Sequence, residues 1–327
     1  MKGVRFALGV SLFVVLLVSA SLAQTGDNSL TYVSAQGADS HACSVTAPCK
    51  TFAGALAKTA PGGEVVVLSS SGAYGPFNIS HAVTIEAPSG VYAGITQVSN
   101  STDGIFVSAG TGDIVTLKGL TVIGPAATPT GGVGINFSSG AALHIEGCEV
   151  REFSTNIVVS NAVSQLFIKD TVVKDGYNGI LLVQSGTAGT MYASMDHITA
   201  NNNVNGIALE GTMAGAVIEG AIRDSTLSGN GTGVSVEAFS GGTALLDVES
   251  CLIANGGEGI STVVTESGTA GMSISNCLIS HNSGNGFLIQ GNSFFQGGGS
   301  SFIVSRGNNT FTGNGPNVGI LGAQPAQ

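Results

Sequence analysis

The chain has 327 residues, including 50 glycines and no tryptophan, and only 9% of its residues are Asp, Glu, Lys or Arg. That charged fraction is far below the roughly 25% of an average soluble protein, while 43% apolar residues are enough for a large core. Glycine without a three-residue period excludes collagen, and low charge with many apolar residues argues against disorder. Ten basic against 20 acidic residues argue against nucleic-acid binding, and they make a polyanionic glycan an awkward partner unless a cation bridges the two.

The N-terminus has the pattern of a secretory signal peptide. Lys2 and Arg5 precede an apolar run over residues 6–18, and small residues follow up to Ala23. The run is shorter than the ~20 residues of a spanning helix, which argues against the alternative of a membrane anchor. We therefore expect residues 1–23 to be cleaved, leaving a protein without a membrane span that is secreted, periplasmic or at the cell surface.

Residues 24–62 differ from the rest and predict an N-terminal cap. A short strand over 32–34 is followed by Cys43 and Cys49, which we expect to form a disulfide that closes a small loop. A short amphipathic helix over 50–58 then ends at the Pro-Gly-Gly stretch 60–63. A helix laid on the first coil of a β-structure would cover an unpaired strand edge. We therefore expect a cap without chemistry.

Residues 63–321 follow a repeat of about 26 residues. A short alternating strand, a bend, a second strand, an Asn/Gly turn and a third strand make up each unit, and no unit has a helical period. A unit this short cannot bury its own apolar face, so the units must stack. The sequence predicts a single-stranded right-handed parallel β-helix of about 10 coils. The repeat is marked by Gly134-Ile135, Gly179-Ile180, Gly206-Ile207, Gly233-Val234, Gly259-Ile260, Gly286-Phe287 and Gly319-Ile320.

Charged residues support the same register. One position per coil alternates in sign, which predicts an outward ladder of opposite charges about 4.8 Å apart: Glu146, Lys169, Asp196, Arg223 and Glu249. The position two places later collects small or buried types: Cys148, Thr171, Ile198, Ser225, Cys251 and Cys277. Stacking of like residues explains the three cysteines outside the predicted disulfide as packing residues, since no Cys/His group has zinc spacing.

The segments 32–37 (Tyr-Val-Ser-Ala-Gln-Gly) and 48–52 (Pro-Cys-Lys-Thr-Phe), with the later Asn/Gly-Ile repeats, resemble exported right-handed β-helix proteins of the pectate-lyase-like superfamily. The resemblance covers residues 31 to 320 and implies that fold. It does not choose a function, because the superfamily includes polysaccharide lyases, glycoside hydrolases, epimerases, tailspikes and adhesins. The polygalacturonase motifs Asn-Thr-Asp, Asp-Asp, Gly-His-Gly and Arg-Ile-Lys are absent from the sequence, as is the Asp-Pro-His of alginate epimerases.

The position between the charge ladder and the cysteine column carries the candidate chemistry. Asp170, His197 and Asp224 follow one another at 27-residue steps, and Asp196 precedes the histidine. Carboxylates beside an imidazole would raise its pKa and prepare an acid/base group, and paired carboxylates serve glycoside hydrolysis. Asp170 and Asp224 could instead hold Ca²⁺; no other cofactor is expected. The interpretation we favour is a polar ladder at a bend that hydrogen-bonds the backbone.

Two further sets of residues have structural explanations. The asparagines at the following turn predict an asparagine ladder or left-handed turn residues, as does His281: Asn201, Asn202, Asn203, Asn230, Asn255 and Asn282. Phe294 and Phe295 lie in a Gly-rich stretch and could form a sugar-stacking platform, but we favour local core.

Two function hypotheses follow. The first is a non-enzymatic exported β-helix protein that binds an extracellular or cell-envelope partner, with a glycan favoured. The second is a polysaccharide lyase or glycoside hydrolase whose site is Asp170, Asp196, His197 and Asp224. Steps of 22 to 27 residues between most repeats leave little chain for loops that would wall a catalytic groove, which favours the first hypothesis. We expect residues 322–327 to be a frayed tail.

Overall fold

The computed structural model describes residues 28–99, 102–125, 131–160, 164–184, 188–291 and 299–323. The predicted signal peptide and Phe294–Phe295 lie outside these ranges. The helix is α1 (Phe52–Leu56). The first strands are β1 (Asn28–Val33), β2 (Thr59–Val67), β3 (Phe77–Ile79), β4 (Val83–Glu86), β5 (Ala93–Thr96), β6 (Ile105–Ser108), β7 (Ile114–Lys118), β8 (Leu120–Ile123), β9 (Val133–Ser139) and β10 (Ala142–Glu146).

The middle strands are β11 (Glu149–Arg151), β12 (Thr155–Val159), β13 (Gln165–Lys169), β14 (Val172–Lys174), β15 (Asn178–Gln184), β16 (Gly189–Asp196), β17 (Thr199–Asn201), β18 (Asn205–Gly211), β19 (Ala216–Arg223), β20 (Thr226–Ser228) and β21 (Thr232–Ala238). The last strands are β22 (Gly242–Glu249), β23 (Leu252–Ala254), β24 (Glu258–Val264), β25 (Gly268–Ser275), β26 (Leu278–Ser280), β27 (Phe287–Gln290), β28 (Ser300–Ser305), β29 (Thr310–Thr312) and β30 (Gly322–Ala323).

Within the described ranges the strands form three sheets. From β3 to β29, two strands that are hydrogen-bonded to each other are three strands apart in the chain. Sheet A has the order β1-β2-β4-β7-β10-β13-β16-β19-β22-β25-β28-β30. Sheet B runs from β5 to β29 and sheet C from β3 to β27, each with nine strands. All pairings are parallel, and from β3 to β29 each coil contributes one strand to each sheet. This is a single-stranded parallel β-helix, and the fold predicted from the repeat is confirmed.

The interior is a column of apolar side chains from all three sheets. Alternation along each strand sends Val, Ile and Leu inward, and the inward residues are almost fully buried. Because each residue stacks on its counterpart one coil away, the core is continuous from Val33 to Ile303. Among the described residues no helix has the length and hydropathy of a membrane span.

In most coils the chain bends at two corners where one residue has left-handed backbone, from β7 onward in sheet A and from β11 onward in sheet B. After the strand of sheet A, this residue has φ between 48° and 83°: Gly119, Gly147, Asp170, His197, Asp224, Ser250, Asn276 and Gly307. After the strand of sheet B, φ lies between 55° and 69°: Glu152, Asp175, Asn202, Gly229, Asn255, His281 and Gly313. Left-handed backbone costs an ordinary L-residue about 1–2 kcal/mol, and Gly, Asn and Asp tolerate it best. The corners therefore explain why these types recur at the repeat step.

Buried polar side chains satisfy the backbone inside the corners. Behind the first corner, the Ser225 hydroxyl donates to the carbonyl of Arg223 at 2.6 Å and accepts from the Ile198 N–H at 3.0 Å. The cysteines of this column are buried free thiols, and burial raises the pKa of Cys148 to about 12. Behind the second corner, Asn230 donates from Nδ2 to the carbonyl of Ala200 at 2.8 Å. A buried asparagine ladder and left-handed asparagines are thus both present.

The N-terminal segment packs on the first coil. Cys43 and Cys49 form a disulfide, and Asp39 accepts hydrogen bonds from the N–H groups of Lys50 and Thr51, just before α1. Thr51 caps α1, and Phe52 stacks on Phe77 with 4.5 Å between ring centroids. However, β1 and not the helix forms the first edge of sheet A.

Two predicted boundaries fall inside strands. The stretch 60–63, expected to end the helix, lies within β2, at a shift in the register with β1. At the other end, Gly322–Ala323 of the expected tail form β30 beside β28.

The left-handed corners predict an unusual order of stability at His281. The free energy of unfolding of His281→Val should be about 1–2 kcal/mol lower than that of His281→Gly, because a β-branched residue does not tolerate positive φ. His281→Val should therefore unfold at a lower urea concentration. At Ser194, an extended and exposed position of β16, the order of Val and Gly should reverse, because Gly weakens a strand interior. Urea unfolding of the four variants measures both differences. The same order at both sites would contradict the explanation.

Candidate functional site

The predicted ladder of charges is present on the outer face of sheet A. Register pairs join Glu86, Lys118, Glu146, Lys169, Asp196, Arg223 and Glu249 in that order. Two neighbouring pairs are in contact, Lys118 with Glu146 at 3.4 Å and Arg223 with Asp196 at 3.1 Å. Exposed pairs of this kind stabilise a fold by only ~0–1 kcal/mol each. The ladder therefore fixes side-chain positions more than it stabilises the fold.

Of the candidate catalytic residues, Asp170, His197 and Asp224 lie at the first corner and are exposed, whereas Asp196 ends β16 and is half-buried. His197 Nδ1 is 2.8 Å from Asp196 Oδ1, and the histidine side chain is 56% exposed. Ligand atoms of Asp196, His197 and Asp224 lie within 4.8 Å of one another. Asp170 is outside this group and lies 4.0 Å from Lys169. The contact that His197 makes is therefore with the preceding residue of its own coil, whereas the sequence suggested carboxylates one coil away on either side.

Asp196 is held as a carboxylate. Its partial burial favours the neutral acid, but hydrogen bonds from Arg223 and His197 outweigh this and lower its pKa below the ordinary value. Each of its oxygens already has one of these partners. A carboxylate in this state is a poor proton donor, although it can orient the imidazole of His197.

The same contacts decide whether the group suits calcium. Ca²⁺ takes six to eight oxygen ligands, while this group offers two carboxylates and one imidazole. The guanidinium of Arg223 lies 3.1 Å from Asp196 and would repel a cation there. Asp170, one of the two predicted ligands, is not in the group. The residues therefore do not fit a calcium ion.

Removal of the Arg223 charge tests this account of Asp196. In Arg223→Gln the pKa of Asp196 should rise toward its ordinary value, because its strongest cationic partner is lost. Carboxyl-detected NMR titration measures the shift. Lys169→Gln is the matched control: Lys169 is the register neighbour on the other side but makes no ion pair with Asp196. An equal shift in both variants would contradict the assignment.

A second pair of carboxylates lies on the outer face of sheet C and was not singled out from the sequence. Glu210 of β18 and Glu237 of β21 are register partners. Burial raises the pKa of both, and repulsion by Glu210 raises that of Glu237 further. Their 27-residue separation is the repeat step and could have revealed the pairing. Their burial could not be read from the sequence, since it depends on the neighbouring side chains.

The raised pKa of Glu237 predicts a pH-dependent gain in stability from Glu237→Gln. A carboxyl group whose folded pKa is raised contributes stability at low pH, and this contribution is lost as the pH rises through the folded pKa. The variant should therefore melt at a higher temperature than the native protein at pH 7, with a smaller difference at pH 4. Glu219→Gln, on the exposed face of sheet A, should leave the melting temperature unchanged at both pH values. Equal effects of the two substitutions would exclude this explanation.

The outer face of sheet A also carries a row of exposed aromatic rings. Phe167 is 37% exposed, Tyr192 49% and Phe302 37%. Register pairs place Tyr192, Glu219, Leu245, Gly271 and Phe302 in one column along the coil axis. We call the surface formed by this column and by Phe167 the aromatic groove. In the neighbouring outward column, His144 stacks on Phe167 with centroids 4.6 Å apart.

Two adjoining depressions form the floor of the aromatic groove. The first, of about 240 Å³, has Phe167 and Tyr192 at its wall. The second, of about 310 Å³, runs between Glu219 and Phe302. Phe302 can lie low over the sheet because Gly271 has no side chain, and an added Cβ there would collide with the ring. The groove therefore has aromatic rings at both ends.

Sequence reasoning missed the aromatic groove. Its residues occur at outward positions in the predicted register, which is the signal that could have found them.

Burial lowers the pKa of His144, which favours the neutral imidazole that stacks on Phe167.

No family model matches the chain, and no curated protein matches it. Two solved structures are similar in fold. The A-module of mannuronan C-5 epimerase AlgE4 of Azotobacter vinelandii has a TM-score of 0.36 and 11% identity, with 91% of this chain and 89% of that chain covered. Pectate lyase Pel9A has a TM-score of 0.40 and 15% identity, with 93% and 80% covered. At these values the likeness concerns the fold alone.

Proposed function

We propose that this is an exported, non-enzymatic glycan-binding protein whose binding surface is the aromatic groove. The observation that carries the proposal is the set of exposed rings Phe167, Tyr192 and Phe302, which line joined depressions together with carboxylates. Export follows from the expected cleavage of residues 1–23, and the Cys43–Cys49 disulfide suits an oxidising compartment.

The groove has the chemistry that a sugar chain requires. The C–H faces of a pyranose ring pack on an aromatic side chain, which is apolar over its face. A few polar groups then fix the orientation of the ligand, and Glu219 and Asp247 are placed to accept hydrogen bonds from sugar hydroxyls.

The size and rigidity of the groove suit an oligosaccharide. Tyr192 and Phe302 are four coils apart, roughly 19 Å at the usual strand spacing, which is room for several sugar rings. Because the rings stand on paired strands of a continuous sheet, little conformational freedom is lost on binding.

The corner residues support the enzymatic alternative less well. Asp196 is held ionised by Arg223, and Asp170 lies outside the group that brings His197 and Asp224 together. A catalytic pair of carboxylates needs one group that can donate a proton. Asp196 does not meet that need, so we assign these residues to the corner of the coil and propose no cofactor.

Removal of the groove's rings should weaken glycan binding. We expect Phe167→Ala, Tyr192→Ala and Phe302→Ala each to lower the affinity for a bound oligosaccharide by about two- to tenfold, since an aromatic contact contributes ~0.5–1.5 kcal/mol. Calorimetry with neutral and charged oligosaccharides measures the loss. Tyr177→Ala is the control, because Tyr177 is 50% exposed but lies at a turn outside the groove. Equal losses in Tyr177→Ala, or no binding to any oligosaccharide, would refute the proposal.

The same samples test the enzymatic alternative. New reducing ends would indicate a hydrolase, and ultraviolet absorbance of unsaturated sugars would indicate a lyase. Cleavage that is lost in Asp196→Ala and His197→Ala would replace the binding proposal with an enzyme whose site is the corner.

A further inference from the structure

The carboxylates of the aromatic groove have no cationic neighbour in ion-pair contact. Glu219 and Asp247 are exposed on the outer face of sheet A, and both line the larger depression. Among the described residues, no Lys, Arg or His nitrogen comes within 4.0 Å of either carboxylate. The other residues of this depression are apolar or small: Gly220, Leu245, Leu246, Gly271, Met272, Ser273 and Phe302.

Two arginines lie on the same face, Arg223 of the charge ladder and Arg306. Arg223 is bound to Asp196, so its charge is partly neutralised. Arg223 and Arg306 line a separate, adjoining depression of about 260 Å³, which Asp247 and Glu249 also line. The larger depression is therefore a negative site with an aromatic wall, on a chain whose formal net charge is −10.

We propose that the glycan of the aromatic groove is an amino-sugar chain that carries protonated amines. Its ammonium groups would donate charge-assisted hydrogen bonds to Glu219 and Asp247, which are shorter and stronger than hydrogen bonds between neutral groups. Its ring faces would pack on Phe302 and Tyr192, and a cation near an aromatic face gains further attraction. This inference rests on the proposed function and names the substrate class of the same site.

Charge also selects against the other glycan classes. A uronate chain would bring its carboxylates against Glu219 and Asp247, so like charges would repel. A neutral or N-acetylated chain would keep the ring contacts but leave both carboxylates without an ionic partner. The expected order of affinity is therefore amino sugar, then N-acetylated sugar, then uronate.

Three matched oligosaccharides test this order. We would titrate the protein with hexamers of glucosamine, N-acetylglucosamine and galacturonate in calorimetry at low salt and slightly acidic pH. The glucosamine hexamer should bind about tenfold more tightly than the N-acetylated hexamer. Its advantage should fall with added NaCl, because exposed charges are screened. Equal or tighter binding of either other hexamer would overturn the inference while leaving the proposed function in place.

Matched variants separate site-specific charge from overall charge. Glu219→Gln with Asp247→Asn should abolish the preference for glucosamine, because the affinity for the glucosamine hexamer should fall much further than that for the N-acetylated hexamer. Glu258→Gln with Glu266→Gln removes two carboxylates from outside the aromatic groove and should keep the preference. Loss of preference in both double variants would show a non-specific charge effect and overturn the inference.

Two further arms complete the test. Phe302→Ala should weaken both hexosamine hexamers, since both use the ring, and the glucosamine hexamer at least as strongly, because its ammonium groups also lose an aromatic face. A lysine pentapeptide should bind more weakly than the glucosamine hexamer, and equal binding would overturn the assignment to a sugar. If none of the three hexamers and no neutral oligosaccharide binds to protein that melts normally, the proposed function fails together with this inference.

Discussion

A left-handed corner after most strands of sheets A and B is the constraint on which the rest of this structure depends. Positive φ brings the chain round within one or two residues, so that successive coils return to the same register. The buried side chains behind the corners, such as Ser225 and Asn230, then supply hydrogen bonds to backbone groups that the bend leaves without strand partners. The register of the coils therefore depends on the residues that form and support the corners.

Strict register has a consequence for the surface, because every outward position becomes a column about 4.8 Å in spacing. Residues of one sign would repel along such a column, and the ladder that includes Asp196 and Arg223 alternates instead. The pair Glu210–Glu237 is an exception: burial raises the pKa of Glu237, and repulsion by Glu210 raises it further. The aromatic groove is built by the same geometry: Tyr192 and Phe302 share a column, and Gly271 lets Phe302 lie against the sheet.

The two candidate surfaces differ in how much of their polarity is already used. At the corner, Asp196 is hydrogen-bonded by both His197 and Arg223, so the cluster satisfies itself. In the groove, Glu219 and Asp247 make no ion pair within the described residues, although they stand beside apolar and aromatic surface. A surface with unused hydrogen-bonding capacity next to exposed rings is the better place for a ligand, which is why the proposed function and the ligand class are assigned there.

Periodicity alone determined the parallel β-helix, the columns and the corner positions, because a repeat of fixed length forces equivalent residues to stack. It placed Asp170, His197 and Asp224 in one column correctly. Only the tertiary structure decided that His197 contacts Asp196, that Asp170 stands apart and that Glu210 is half-buried. A repeat specifies the backbone position of each residue. The direction and burial of its side chain depend on the size of the neighbouring side chains. The aromatic groove depends on the repeat and on the tertiary structure. The register aligns its column of residues, and Phe302 lies low over the sheet because it packs on Gly271.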